Sequence, residues 1–315
     1  MRRNLWIYLL LISLISTACS PSGTPVRQDE TGQPARLRVV ATTTIVADVV
    51  KNIAGDRVDL HVLIPAGVDE HSFQYTPEDV VQVTDADVLF MNGAGLETFM
   101  KPLLENAGQH VKVVSVSDGI SLKQGVLEDA LAAQTGSQPV SGSDPHVWLD
   151  PNNVMVWTQN IAAALSELDA PHASEYQANA AAYRQKLAEL DRWIQQQVAQ
   201  VPQANRQLVT DHQIFTYFAD RYGFKQTGAI IPSYSTEAEP TAQELAALED
   251  AIRQFGVKAI FVGNTVNPNL AKGVAGDTNV HLTPIYTGSL TDGSPAGTYL
   301  DYMHFNVDAI VQALK

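Results

Sequence analysis

One cysteine stands in 315 residues, so no internal disulfide staples this chain. Basic side chains are scarce too: 20 Lys and Arg face 34 Asp and Glu, a formal net charge of −14, which argues against nucleic acid as a partner. An acidic surface suits attraction of small cations and serves solubility equally well. The apolar run Leu5 to Ile15 is too short to span a bilayer comfortably. Gly93-Ala94-Gly95 lacks the third glycine of a dinucleotide fingerprint and runs into Leu96-Glu97, so it reads as a turn. No His-Glu-x-x-His segment supports a zinc hydrolase, and no short internal repeat stands out.

What is present starts with an export signal. Met1-Arg2-Arg3-Asn4 is a basic start, and the apolar run after it ends in Ser16-Thr17-Ala18-Cys19, small residues before the cysteine, the pattern of a bacterial lipoprotein cleavage site. Residues 1–18 are therefore expected to be removed and Cys19 to carry a lipid anchor on an extracytoplasmic membrane face. The alternative is an ordinary secretory signal with an incidental cysteine. Residues 19–36, rich in Ser, Pro, Gly and Gln, read as a flexible tether.

Beyond the tether, strand and helix patterns alternate, which predicts parallel sheets flanked by helices, an α/β fold. Residues 37–43 and 58–63 read as strands around a helix from Ile45 to Ile53. Thr76-Pro77-Glu78-Asp79 is a capped helix start, and Asp87 to Met91 a buried strand. A helix is expected from Pro151 to about Leu165. A longer one, from about His172 to Val198, carries Tyr176, Tyr183, Leu187, Leu190, Ile194 and Val198 on one stripe. Further elements are expected at 207–210, 215–222, 241–255, 258–262 and 299–314. The organisation is two lobes, 37–169 and 201–315, joined by a rigid connecting helix over 170–200.

Three histidines sit in constrained contexts. Asp144-Pro145-His146 precedes a helix start fixed by Asp150 and Pro151; His71 lies in Gly67-Val68-Asp69-Glu70-His71; His212 follows Thr210-Asp211. Three such loops suggest one metal centre. His61, His110, His172, His281 and His304 read as surface or core residues.

These pieces, together with Asn92 to Glu97, Tyr217-Phe218, Tyr222-Gly223, Glu239-Pro240 and Tyr299-Leu300-Asp301, occur in order over nearly the whole mature chain. In them the sequence resembles the solute-binding lipoproteins of zinc/manganese ABC importers, the group that includes metal-binding adhesins. The resemblance implies two α/β lobes joined by one long helix, with metal in the cleft between them. It implies His71 and His146 as ligands from the first lobe and His212 from the second. A histidine at the third position favours zinc, with manganese as the alternative, since imidazole suits zinc and manganese prefers oxygen. Where family members commonly place an aspartate ligand, this chain has Gly288 in Tyr286-Thr287-Gly288-Ser289. Asp292 is the nearest carboxylate and the candidate fourth ligand; Glu70 or a water would complete a tetrahedron instead. Asp144 and Asp211 are expected beside the imidazoles, as acceptors of a ring N–H or as turn residues, and Glu70 next to His71. Phe73, Tyr75 and Trp148 would line the cleft or pack its loops. Lys123 to Ser143 contains no histidine, which argues against the His-rich capture loop of some zinc-uptake members.

The expected function is a monomeric, lipid-anchored receptor that captures zinc and hands it to an ABC permease and its ATPase, with no catalysis. A manganese receptor or an adhesin would use the same site. The enzyme alternative is a zinc hydrolase with an open coordination position and Glu70 or Glu239 as base.

Overall fold

A computed structural model describes residues 36–106, 110–124 and 142–315. The export signal, Cys19 and nearly all of the tether lie outside the described residues, as does most of the loop before Asp144. No helix among the described residues is long and apolar enough to cross a membrane.

The first half of the chain builds a parallel sheet from β1 (Leu37–Ala41), β2 (Val58–Val62), β3 (Val88–Met91) and β4 (Lys112–Ser115), in the order β2-β1-β3-β4. The second half repeats that order as β6-β5-β7-β8, with β5 Gln207–His212, β6 Lys225–Ile231, β7 Ala259–Val262 and β8 His281–Pro284, again all parallel. A 2-1-3-4 order means the chain first moves to one side of the central strand and then to the other. The carboxyl ends of the two middle strands therefore border a crevice, the usual ligand position in such sheets. His212 ends β5, and Asn92 follows β3, so both crevices open toward the same region.

The strands β3 and β7, inside their sheets, are apolar because helices cover both faces. Val88, Leu89 and Phe90 of β3 and all four residues of β7 are buried. Around them lie α1 (Thr44–Ala54), α2 (Pro77–Asp85), α3 (Lys101–Asn106), α4 (Pro151–Leu168), α5 (Ala173–Val198), α6 (Thr216–Tyr222), α7 (Ala242–Phe255), α8 (Asn269–Thr278) and α9 (Tyr299–Leu314). The helix starts follow their capping residues. Thr76 and Thr241 form capping boxes with Asp79 and Glu244, and the Asp150 side chain accepts from Asn152 N with Pro151 in the first turn.

Helix α5 spans 26 residues, about 39 Å at 1.5 Å per residue, and runs between the two sheet-forming halves of the chain. All six residues of its expected stripe are buried, and it packs on α1, α4 and α9. One continuous apolar cluster joins Val39 and Phe90 of the first sheet, Tyr183 and Leu187 of α5, and Leu208 and Phe261 of the second. Smaller clusters cover the outer face of each sheet, around Leu89 and Leu103 in the first and Ile260 and Val274 in the second.

Candidate metal centre

Each of the three histidines is fixed by its own local chemistry. After β2 the chain is pinned by Leu63 N and Ile64 N, which donate to the carbonyls of Ala41 and Thr42. Asp69 then turns it: its Oδ1 accepts from His71 N at 2.9 Å, and its Oδ2 from the Thr236 hydroxyl. Gly67 N donates to Ser289 Oγ at 2.8 Å. The His71 loop is thereby tied to the second half of the chain at two points.

His146 is fully buried. Its backbone N–H and its Nδ1 both face Asp144 Oδ1, at 2.9 and 2.8 Å. The loop that carries it is held by Asn92 Nδ2, donating to Pro145 O at 3.1 Å, and by the Tyr217 hydroxyl, donating to Asp144 O at 3.0 Å. Asn92 in turn belongs to the tight turn Asn92 to Glu97. The Glu97 carboxylate accepts from Asn92 N, Gly93 N and the Thr42 hydroxyl, at 2.6, 3.0 and 2.7 Å. Gly93 is required there, since its φ is +77° and a Cβ would lie 2.0 Å from Ser115 Oγ. The glycine-rich segment is thus a turn that seats the His146 loop. A short 3-10 turn, Val147–Leu149, separates His146 from α4, where the sequence suggests direct entry into the helix. In that turn Trp148 is buried, with Nε1 3.2 Å from both Thr287 O and the Tyr302 hydroxyl. It packs the loop.

His212 is the last residue of β5. Asp211 Oδ1 accepts from its backbone N at 2.6 Å and faces its Nδ1 at 2.7 Å, while Asp211 Oδ2 accepts from Gly263 N at the end of β7. Asp144 and Asp211 therefore play the same part on the two sides. A carboxylate on Nδ1 places the ring proton there and turns the Nε2 lone pair inward.

The three Nε2 atoms converge. His146 Nε2 lies 3.1 Å from that of His71 and 3.3 Å from that of His212, and all three donor atoms fall within 4.8 Å of one another. Donors on a tetrahedral ion at about 2.0–2.1 Å stand about 3.3–3.4 Å apart, so the spacing suits a single small cation. Among the described residues no other group of three His, Cys, Asp or Glu comes together in this way.

The electrostatics favour neutral ligands. Burial, and then the neighbouring imidazoles His146 and His212, drive His71 down to about 2. Burial and His212 likewise hold His146 well below its ordinary value. Burial also pulls on His212, but Asp211, with Glu70 and Asp69 behind it, outweighs the pull and leaves His212 above its ordinary value. His212 is therefore the imidazole that holds a proton most readily. Burial pushes both Asp144 and Glu70 up to about 7.

Asp292, the carboxylate nearest in sequence to Gly288, does not join the three histidines: it is exposed and outside their group. The preceding residues explain its position. Ser289 Oγ accepts from Gly67 N, and Leu290 N donates to Thr44 Oγ1 at 2.9 Å, so the chain is fastened before it reaches Asp292. It then closes on itself through Thr291 N to Ala296 O at 3.0 Å. Glu239 is exposed as well and is not part of the histidine group. Glu70 is buried, with Oε1 3.9 Å from His71 Nε2. Sequence reasoning did not find Ser289, Thr236, Thr287 or Tyr302, whose contacts join segments far apart in the chain.

A pair of α/β sheets whose crevices meet on a trio of imidazoles, two of them fully buried, defines a metal-binding protein of the solute-receptor class. The family profile described as "Zinc-uptake complex component A periplasmic" matches residues 39–313, and the chain belongs to this family. It is a substrate-binding component of a metal ABC transporter, not an enzyme. It is 35% identical over 309 residues to the manganese-binding lipoprotein MntA of Halalkalibacterium halodurans, covering 98% of this chain and 97% of that one. It is 34% identical to the manganese ABC transporter substrate-binding lipoprotein PsaA of Streptococcus mitis, over 98% of this chain and 97% of the other. Among solved structures, the periplasmic zinc binding protein TroA from Treponema pallidum superposes with a TM-score of 0.80 at 29% identity, covering 89% of this chain and 99% of that one.

Proposed function

We propose that this chain is an extracytoplasmic receptor, lipid-anchored through Cys19, that captures zinc with His71, His146 and His212 and passes it to a membrane permease driven by an ATPase. The convergence of three Nε2 atoms carries the reading, with two of the rings locked by buried aspartates. Lone pairs that meet at 3.1–3.3 Å repel unless a proton or a metal ion sits among them. Three imidazole nitrogens suit zinc, whereas manganese prefers oxygen-rich surroundings. In this reading residues 37–169 and 201–315 act as two lobes on the connecting segment 170–200, and the protein works as a monomer. The relatives' names support the anchor and the transporter partners, since those proteins are called substrate-binding lipoproteins of metal ABC transporters.

Manganese is the second reading. Several relatives are named for manganese, and a metal-binding protein from Candidatus Liberibacter asiaticus, 31% identical with a TM-score of 0.78, was solved with manganese bound. A competitive titration of the metal-stripped mature chain with zinc and manganese separates the two. Tight one-to-one zinc binding that is lost in His212→Ala is expected. Manganese preference, or indifference to His212→Ala, would overturn the zinc reading.

A further inference from the structure

Just before His146, Lys123 and Asp144 face each other as an antiparallel pair, next to the bridge between Gln124 and Ser143. A hydrogen-bonded pair of this kind exchanges two backbone bonds. One is direct, from Asp144 N to Lys123 O at 2.8 Å. The other is relayed: Lys123 N donates to the Tyr217 hydroxyl at 3.0 Å, and that hydroxyl donates to Asp144 O at 3.0 Å. A phenol oxygen is thus inserted into the ladder, using its one proton and a lone pair. Tyr217 is buried, and Asp144 is buried with it. Tyr217 comes from the other side of the metal centre, in the first turn of α6 and shortly after His212. That helix is anchored on α5, where Arg221 Nη2 and the Tyr222 hydroxyl donate to Asp191 at 2.8 and 2.9 Å. One turn on from Tyr217, Asp220 accepts from Lys123 Nζ at 2.7 Å. The grip of α6 on the pair therefore has a buried hydroxyl at its centre and an ion pair at its exposed rim.

From this arrangement we infer that Tyr217 is a positioning residue of the metal centre, its hydroxyl setting the Asp144–His146 loop against the segment that carries His212. The inference rests on the metal-capture reading above. The path is short. Asp144 O is fixed by the Tyr217 hydroxyl, Asp144 Oδ1 fixes both His146 N and Nδ1, and His146 Nε2 then stands 3.3 Å from that of His212. The His71 loop is tied to the same half of the chain through Thr236 and Ser289. Both imidazoles that precede α5 are therefore set by residues that follow it. A shift of α6 disturbs His146 through a bond and not only through the ion, so the junction contributes to how long the metal stays. Without the hydroxyl, Lys123 N and Asp144 O lose their shared partner and the loop relaxes, which shows as a shorter residence time of the ion.

The test uses the intact mature chain, zinc in competition with a chelator, stopped-flow dissociation of zinc into excess chelator, and Co²⁺ as a spectroscopic probe of coordination. Tyr217→Phe keeps the ring and removes only the oxygen; zinc affinity about 10-fold weaker is expected, mostly as faster dissociation, with altered visible bands of bound cobalt. Tyr222→Phe is the matched control on the same helix, since it removes a buried hydroxyl that bonds Asp191 and not the His146 loop. It is expected to lower the urea midpoint and leave zinc affinity and cobalt bands as in the wild type. Asp220→Asn weakens the rim and is expected to speed dissociation by up to about fivefold at low ionic strength, an effect that fades with added salt. Wild-type affinity, dissociation rate and cobalt bands in both Tyr217→Phe and Asp220→Asn, with binding abolished by His146→Ala, would overturn the Tyr217 assignment and leave the capture reading standing. Equal losses of zinc affinity in Tyr217→Phe and Tyr222→Phe would overturn it too, because a general loosening of α6 then explains both. Zinc binding unchanged by His146→Ala would overturn the assignment and the capture reading together.

Discussion

Replacing Asp211 by Asn perturbs the metal centre without touching a proposed ligand. Asp211 accepts three hydrogen bonds, from His212 Nδ1, His212 N and Gly263 N. The amide keeps the size of the carboxylate but carries one acceptor oxygen, so its NH₂ faces an N–H on one side. That leaves a buried donor unsatisfied, at a cost of about 1–3 kcal/mol to the fold. Loss of a carboxylate behind a ligating histidine lowers metal affinity by about 10- to 100-fold, or about 1.4–2.7 kcal/mol. The pH dependence changes as well. In the wild type His212 lies above its ordinary value because Asp211 outweighs burial. The metal-free site thus carries a proton on His212 below that value, and an entering ion must displace it. Affinity falls as pH drops through this range, while His71 and His146 stay neutral and add no proton. In Asp211→Asn burial is less opposed, His212 drops, and fewer protons are released per zinc near neutral pH. Calorimetric titration in buffers of different ionisation enthalpy reads both quantities. Unchanged affinity together with unchanged proton release would refute the role given to Asp211.

Glu97→Ala should strip the acceptor from Asn92 N, Gly93 N and the Thr42 hydroxyl, all buried or nearly so, and cost roughly 3 kcal/mol or more at about 1–3 kcal/mol per orphaned donor. Urea unfolding measures that loss, and weaker zinc binding through the displaced His146 loop should accompany it. Burial would raise Asp191, but Arg221, Tyr222 and Asn152 outweigh it and hold this carboxylate below its usual range. Its stabilisation is therefore present above about pH 3.9 and lost as pH falls through the lower folded value, so Asp191→Asn should flatten the acid limb of a stability curve. Zinc at a hundredfold excess over Kd should add about 2.7 kcal/mol, seen as a rise in Tm that His146→Ala removes.

The parts of the fold legible in the sequence are those fixed by local chemistry. Thr76-Pro77 with Asp79, Asp150-Pro151 and Gly223 carry their own start and stop signals, and the helices sit where these residues put them. The α5 stripe was legible because 26 residues sample the helical period many times. Strands Lys112–Ser115 and Lys225–Ile231 were not, because short parallel strands with polar starts lack alternation and are defined by their neighbours. Helix Asn269–Thr278 was hidden by its two glycines and its lack of a capping side chain. At the site, the three histidines stood out through the residues beside them. The fourth position stayed open in the sequence between Asp292, Glu70 and a water; the filling of the space at Gly288 by Glu70, across more than 200 residues, carries no local signal.

The most direct measurement is zinc K-edge X-ray absorption on the one-to-one complex of the mature chain. Imidazole scattering from three nitrogens, at about 2.0–2.1 Å in a four-coordinate shell, is expected for capture by His71, His146 and His212. A shell dominated by oxygen, or imidazole scattering that survives intact in His146→Ala, would contradict it.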